Sequence, residues 1–237
     1  MSSKTAYMVD FDGTITTGDL SCELAAHFGG SAYMQIENSY RRRDIPIQVW
    51  LQQIVKLLPP DLALLEAKSL EWAVIRPGFE MFLEHACKLE RPVYIASDGF
   101  GFYIEPILKR AGLLEQISFI YRNETFLDEN GNLGVRNPHA HEVCPVCGNC
   151  KAAHVVRLKE EGWSIIYVGD GSNDRFGASW GDLICARDML AESCRENGLA
   201  YSQWIDFYDI IRMNSPQIVD RSSESLCCPM GSGVKRQ

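Results

Sequence analysis

The chain has 237 residues, 46% of them hydrophobic and 23% charged, with a net charge of −8. This is the composition of a soluble globular protein, long enough for one large domain or a core with a small insert. The acidic balance argues against a nucleic-acid partner, and no apolar run approaches the ~20 residues of a membrane helix.

Residues 6–9 (Ala-Tyr-Met-Val) predict a buried strand, closed by Asp10-Phe11-Asp12-Gly13-Thr14. If the strand's alternation continues, the Asp10 and Asp12 carboxylates share one side. They then sit at a strand's C-terminal end, where open α/β sheets bind ligands. Two acids this close do not both ionise cheaply without a cation, and a divalent metal supplies one. About sixty residues of helical character follow, with no clear strand. Asp19 is placed to cap a helix over 20–28 that stops at Gly29-Gly30. Pro46 opens a helix over 47–58, with Ile47, Trp50, Leu51, Ile54 and Leu58 on one face. Pro59-Pro60-Asp61 opens another over 62–73.

Pro77-Gly78 marks a change, and a helix over 79–89 leads into a second apolar strand at 93–96, followed by Ser97-Asp98-Gly99. A helix over 102–111, a strand over 117–121 and a hairpin turn at Asn130-Gly131 come next. Lys151 stands near the start of a helix over 150–161, ended by Gly162. A third apolar strand over 165–168 runs into Gly169-Asp170-Gly171-Ser172-Asn173-Asp174. Another strand is expected over 182–186, then helices to about 213. Strands alternating with helices predict a parallel sheet covered on both faces. From 215 onward Ser and Gly dominate, and a flexible tail is expected.

Residues 1–10 lack a basic stretch followed by an apolar one, so no signal peptide is expected there. The nine cysteines are an odd number, and Cys22, Cys87, Cys185 and Cys194 lie in apolar or helical contexts. Buried thiols in a reduced, cytoplasmic setting fit this pattern. The dinucleotide-loop reading of Gly169-x-Gly171 fails, because Asp174 stands where the third glycine belongs and would repel a pyrophosphate.

Asp-x-Asp-Gly-Thr, then strand-Ser, then Lys, then Gly-Asp-Gly-x-x-Asp, each at a strand end or helix start, resembles the haloacid dehalogenase (HAD) superfamily of phosphatases. The resemblance spans roughly residues 7–213. It implies an α/β fold: a Rossmann-like parallel sheet with helices on both faces, plus an inserted all-helical cap of the C1 type. The implied division is 1–14 and 76–214 for the core, 15–75 for the cap and 215–237 for the tail. The implied activity is Mg²⁺-dependent hydrolysis of a small phosphorylated metabolite.

By this resemblance Asp10 attacks phosphorus and forms an aspartyl-phosphate. Asp12 protonates the leaving oxygen and then helps activate water. Mg²⁺ is implied at Asp10, the backbone carbonyl of Asp12, and Asp170, with Asp174 behind them or bound through water. Ser97 and Lys151 are implied phosphate contacts, with Asn173 and the amides of Gly13, Gly99 and Gly171. A phosphotransferase or mutase of the same fold is a second reading.

The run His139-Ala140-His141-Glu142-Val143-Cys144-Pro145-Val146-Cys147-Gly148-Asn149-Cys150 offers Cys144, Cys147, Cys150, His139 and His141 as ligands for a structural Zn²⁺, or else a loop of thiols. A zinc-stabilised interaction protein on an inactive phosphatase fold is the non-enzyme alternative. The helical cap is similar to the phosphoserine phosphatase branch. The Cys/His run looks more like two other branches, the methionine-salvage phosphatases, which act on 2-hydroxy-3-keto-5-methylthiopentenyl-1-phosphate, and the phosphoethanolamine/phosphocholine phosphatases; the opening Asp-Gly-Thr-Ile-Thr and the segments 185–188, 194–196 and 206–208 resemble the first. Ser97-Asp98 is closer to phosphoethanolamine/phosphocholine phosphatases. Asp98 is read as a contact for a cationic headgroup or as the cap of the next helix. Asp19 occupies the place of a substrate-facing acid. Arg41, Arg42 and Arg43 form a solvated face or meet an anionic substrate.

Overall fold

In the computed structural model, residues 4–142 and 146–213 are described; Cys144 and the expected tail lie outside them. Strand β1 (Lys4–Val9) is central to a seven-stranded sheet. Its companions are β2 (Val93–Phe100), β3 (Phe119–Leu127), β4 (Leu133–Arg136), β5 (Trp163–Gly169), β6 (Leu183–Ala186) and β7 (Ser202–Gln203), in the order β4-β3-β2-β1-β5-β6-β7. Every neighbouring pair is parallel except the β3–β4 hairpin. At that hairpin Gly131 takes φ +78°, and Asp128 Oδ1 accepts the amides of Asn130 and Asn132. The expected α/β sheet is therefore present, with an antiparallel edge strand and a short β7 that the sequence pattern did not suggest. Two residues carry too little periodicity to be read as a strand.

The apolar run of β1 is buried on both sides, as a central parallel strand requires. On one face Tyr7 and Val9 pack with α5 (Phe79–Lys88), α6 (Gly101–Arg110) and α10 (Phe207–Arg212), through Phe82, Ile104 and Phe207. On the other, Ala6 and Met8 meet α7 (Lys151–Glu160) and α9 (Asp188–Glu196) through Val155, Leu158 and Leu190. A short α8 (Asp174–Ala178) follows β5.

Four helices fill the chain between β1 and α5: α1 (Leu20–Gly29), α2 (Ser31–Arg41), α3 (Ile47–Val55) and α4 (Leu62–Trp72). Asp19 caps α1 by accepting Cys22 N–H, and Asp61 caps α4 by accepting Leu64 N–H. Leu24, Trp50, Leu51, Ile54 and Leu65 bury their apolar faces in a cluster continuous with the sheet core. The helical insert leaves and rejoins the core side by side: Thr17 N–H meets Val74 O at 2.9 Å and Arg76 N–H meets Ile15 O at 2.8 Å. Among the described residues, no helix is long and apolar enough to cross a membrane.

Candidate active site

Strands β1 and β5 run in register, Val9 beside Val168, so the loops after them emerge together. This brings Asp10 to Asp170. With Asp174 they form the one group of three metal-ligating side chains among the described residues, with ligand atoms within 4.8 Å of one another. All three offer oxygen, the donor set of a hard divalent cation such as Mg²⁺. Gly13 makes the approach feasible. It sits at φ +77°, and a Cβ on it would lie 2.4 Å from Asp170 Oδ2. Thr14, part of the opening motif but given no role there, gives its hydroxyl to Asp170 Oδ1 at 2.5 Å.

Lys151 opens α7 and is almost wholly buried. Its Nζ lies 2.8 Å from Asp10 Oδ1 and 2.8 Å from Asp174 Oδ1. Burial alone would lower its pKa, but Asp10 and Asp174 outweigh that and raise it well above the ordinary lysine value. Burial and the charge of Asp174 push Asp10 well above the usual carboxylate range, against the pull of Lys151. Burial and Asp174 together push Asp170 up to about 7. Protons or cations must compensate this cluster. Asp174 is fully enclosed. Beyond Lys151 it accepts the Tyr167 hydroxyl at 2.7 Å and the amides of Asp170 and Gly171 at 3.1 and 2.8 Å. It organises the site from behind, and it takes the Gly171 amide that the sequence reading assigned to phosphate.

Asp12 departs from the strand-based expectation. The chain turns tightly after Asp10, with Gly13 in the left-handed region, so the two carboxylates diverge. Asp12 Oδ1 accepts Leu20 N–H at 3.0 Å, and Oδ2 accepts the Tyr103 hydroxyl at 2.6 Å. The Asp12 side chain is therefore outside the carboxylate trio.

Ser97 is buried within β2, directly after the regularly paired residues 94–96, where the register with β3 shifts. Its Oγ accepts Gly99 N–H at 2.9 Å, which leaves the hydroxyl proton to donate elsewhere. Gly99 is required for a reason other than phosphate approach: a Cβ there would lie 2.5 Å from Asp12 Oδ2. Asp98 does not cap α6, whose N-cap is Phe100. It accepts Asn149 N–H at 3.2 Å and the Asn173 amide at 3.3 Å. The Asn173 amide also reaches the Tyr40 hydroxyl at 2.9 Å, joining α2 to the core. Asn173 thus lines the cavity with its NH₂ group already engaged.

The Cys/His run acts through Asn149. Its side-chain NH₂ donates to Ser97 O and Tyr121 O, both at 2.8 Å, and its Oδ1 meets His154 Nε2 at 2.6 Å. Burial holds His154 down at about 3. The ring is therefore neutral, and Nε2 donates. The zinc expectation is not supported. The His139 ring packs edge-on against Phe119, Tyr121 and His154, and among the described residues His139, His141, Cys147 and Cys150 are not gathered as a ligand set. Aromatic contacts took the ring that spacing alone offered to a metal.

Arg76, at the return of the insert, was missed in the sequence. Its guanidinium is mostly buried and donates to the carbonyls of Gly13, Thr14 and Thr16. One arginine beside Pro77 carried no signal.

These groups surround a cavity of about 390 Å³. Its floor is Asp10, Asp12, Ser97, Lys151 and Asp170, and its roof is Asp19, Cys22, Tyr33, Glu37, Tyr40 and Trp50 from the insert. A larger open groove of about 880 Å³ between α4 and α6 holds none of the motif residues.

The sequence model of the family described as Putative Phosphatase matches residues 5–189. The chain belongs to that family. It is a phosphatase of the haloacid dehalogenase superfamily, a phosphoric monoester hydrolase. It is 32% identical over 204 residues to a 2-hydroxy-3-keto-5-methylthiopentenyl-1-phosphate phosphatase of Bacillus pumilus, covering 85% of this chain and 87% of that one. A protein of the same name from Exiguobacterium sibiricum is also 32% identical, covering 86% and 93%. The fold matches a phosphoserine phosphatase solved as a phospho-aspartyl intermediate analogue, with a TM-score of 0.69 at 18% identity over 90% of this phosphatase and all of that one.

Proposed function

We propose that this phosphatase hydrolyses a small phosphorylated metabolite through an aspartyl-phosphate on Asp10. The observation that carries the reading is Lys151 Nζ bridging Asp10 and Asp174 at 2.8 Å each, beside the carboxylate of Asp170. In the first step an Asp10 oxygen forms a bond to phosphorus and the ester P–O bond breaks, with Asp12 giving its proton to the leaving oxygen. In the second, water attacks phosphorus, the Asp10–phosphorus bond breaks, and a water proton returns to Asp12. Burial and the neighbouring charge of Asp19 raise the pKa of Asp12 well above the usual range, which suits an acid. Lys151 and the Ser97 hydroxyl hold the phosphoryl oxygens. Asp10, Asp170 and the backbone carbonyl of Asp12 would hold Mg²⁺, with Asp174 behind. The cation would neutralise phosphoryl charge as a Lewis acid.

The helices α1–α4 serve as a cap that selects the alcohol portion of the ester and excludes water from the acyl phosphate. We propose 2-hydroxy-3-keto-5-methylthiopentenyl-1-phosphate as the substrate, in a cytoplasmic methionine-salvage reaction. The relatives' identity supports this, as does a roof that joins the rings of Tyr33, Tyr40 and Trp50 to Cys22, with Met189 at the rim, a suitable lining for a thioether tail. Asp19 and Asp98 in the same cavity favour a cationic headgroup as the second reading. The test is a panel assayed with and without Mg²⁺: the thioether ester, phosphoserine, phosphoethanolamine and phosphocholine, with Asp10→Asn beside the native protein. Selective turnover of the first supports the proposal. Equal rates for the native protein and Asp10→Asn would overturn the mechanism.

A further inference from the structure

The hydroxyl of Tyr103 does more than fill the core. Tyr103 lies on α6, fully buried, and donates to Asp12 Oδ2 at 2.6 Å. The same hydroxyl meets Ser21 Oγ at 2.8 Å, in the first turn of α1. A phenol has one proton, and Tyr103 gives it to the carboxylate; Ser21 is then the donor in the second bond. The result is a chain from Ser21 to Tyr103 to Asp12. Asp12 Oδ1 is held separately by Leu20 N–H, also in the first turn of α1. Both oxygens of Asp12 thus depend on the start of the helical insert, one directly and one through Tyr103. The contact is built for: a Cβ at Gly99 would fall 2.1 Å from Tyr103 Oη and 2.5 Å from Asp12 Oδ2. Real Cβ atoms do not approach so closely, so glycine at 99 keeps this space open.

We propose that Tyr103 is a positioning residue for leaving-group protonation, fixing the Asp12 carboxyl in one rotamer and, with Leu20 and Ser21, tying that placement to the seating of α1. It rests on the reading of Asp12 as the acid. A carboxylate has about four acceptor positions. Two held by Leu20 and Tyr103 orient the group and leave capacity for the transferred proton. A free carboxyl would sample rotamers, and small misplacements of a reacting group are costly in rate. The consequence is chemical. Esters of poorly acidic alcohols need the proton as the P–O bond breaks. Esters of acidic phenols do not.

The test compares benzyl phosphate with p-nitrophenyl phosphate, with Mg²⁺ present, and reads kcat/KM, which reports the step that breaks the ester bond. Tyr103→Phe keeps the ring and removes the hydroxyl. It is expected to lower kcat/KM for benzyl phosphate about 10- to 100-fold and to leave the nitrophenyl ester within about threefold, a fraction of what a positioned acid contributes. Ser21→Ala should shift the same ratio in the same direction, by less. Asp12→Asn separates the two readings. If it spares benzyl phosphate, the acid assignment fails. If it abolishes benzyl phosphate turnover while Tyr103→Phe leaves the ratio of the two esters unchanged, only the Tyr103 proposal falls. Equal loss on both esters in Tyr103→Phe also overturns it, as plain structural damage. Should Tyr103→Phe not fold, Ser21→Ala, which retains the tyrosine, decides on the same ratio.

Discussion

Lys151 Nζ and Asp10 Oδ1 lie 2.8 Å apart in a site where both side chains are buried. Phe11 N–H also donates to Asp10 Oδ1, at 2.8 Å, so both donors converge on one oxygen of the proposed nucleophile. A buried pair of this kind is costly to break, because the surviving charge has no partner. Lys151→Ala is therefore expected to lower kcat/KM for p-nitrophenyl phosphate by about 10²- to 10³-fold, the usual effect of removing one charge-stabilising donor. Steady-state kinetics at saturating Mg²⁺ measures it, and a loss under threefold would contradict the phosphate role of Lys151.

The raised pKa of Asp170 makes stability depend on pH and on metal together. Its folded value is about 7 against an ordinary 3.8. Between these values the folded chain retains a proton that the unfolded chain has lost. This contribution is favourable below about pH 3.8 and is lost as pH rises through 7. Mg²⁺ needs the ionised carboxylate and so restores most where the penalty is greatest. The rise in melting temperature on adding Mg²⁺ should be small near about pH 5 and larger near about pH 8. Differential scanning fluorimetry across pH, with and without the ion, checks this. Taking the difference cancels titrations elsewhere, such as that of His154. An increment independent of pH would contradict the assignment.

Asn149 is the structural reason for the segment before Lys151. Removing its side chain strands two buried carbonyls and the neutral ring of His154. Each unsatisfied group costs about 1–3 kcal/mol, so Asn149→Ala should lower the urea midpoint and weaken inhibition by inorganic phosphate. Unchanged stability would refute the role. Zinc retained stoichiometrically through dialysis would instead revive a metal-based account of the segment.

Gly13→Ala places a Cβ 2.4 Å from Asp170 Oδ2, on a backbone at φ +77°. Two penalties coincide, strain in the left-handed region and displacement of the carboxylate proposed to hold the metal. Mg²⁺ titration of turnover should show an apparent affinity lower by at least about tenfold, the loss typical of disturbed support for a ligand. Equal affinity would mean that Asp170 does not hold the ion.

The central strands were legible because each is an uninterrupted apolar run ending in a distinctive polar motif. Asp10, Ser97 and Asp170 each follow such a run, and parallel pairing converges those ends without further information, whereas Lys151 enters from the start of α7. The direction of Asp12 was not legible, since alternation along a strand says nothing once the chain turns at Gly13. Tyr103 and Arg76 were missed, and Thr14 and Asn149 were named without a role, for another reason. They act on neighbours 28 to 156 positions away, through bonds between buried or part-buried polar groups that leave no local periodicity. The cysteines and histidines before Lys151 left two readings open because spacing advertises ligands, whereas ring packing against Tyr121 decided where His139 went.

The neck formed by Thr17 and Val74, 2.9 Å apart, has an evolutionary reading. A segment whose two ends depart from adjacent points on the scaffold can be swapped for another of different length or shape without moving what lies beneath. Arg76 stands just below that junction and clamps the carbonyls of Gly13 and Thr14. On the proposed reading, recombination within the insert that kept Leu20 and Ser21, whose contacts reach Asp12 directly and through Tyr103, would change which alcohol is recognised while sparing the phosphorus chemistry, so one catalytic base plate could serve many metabolites.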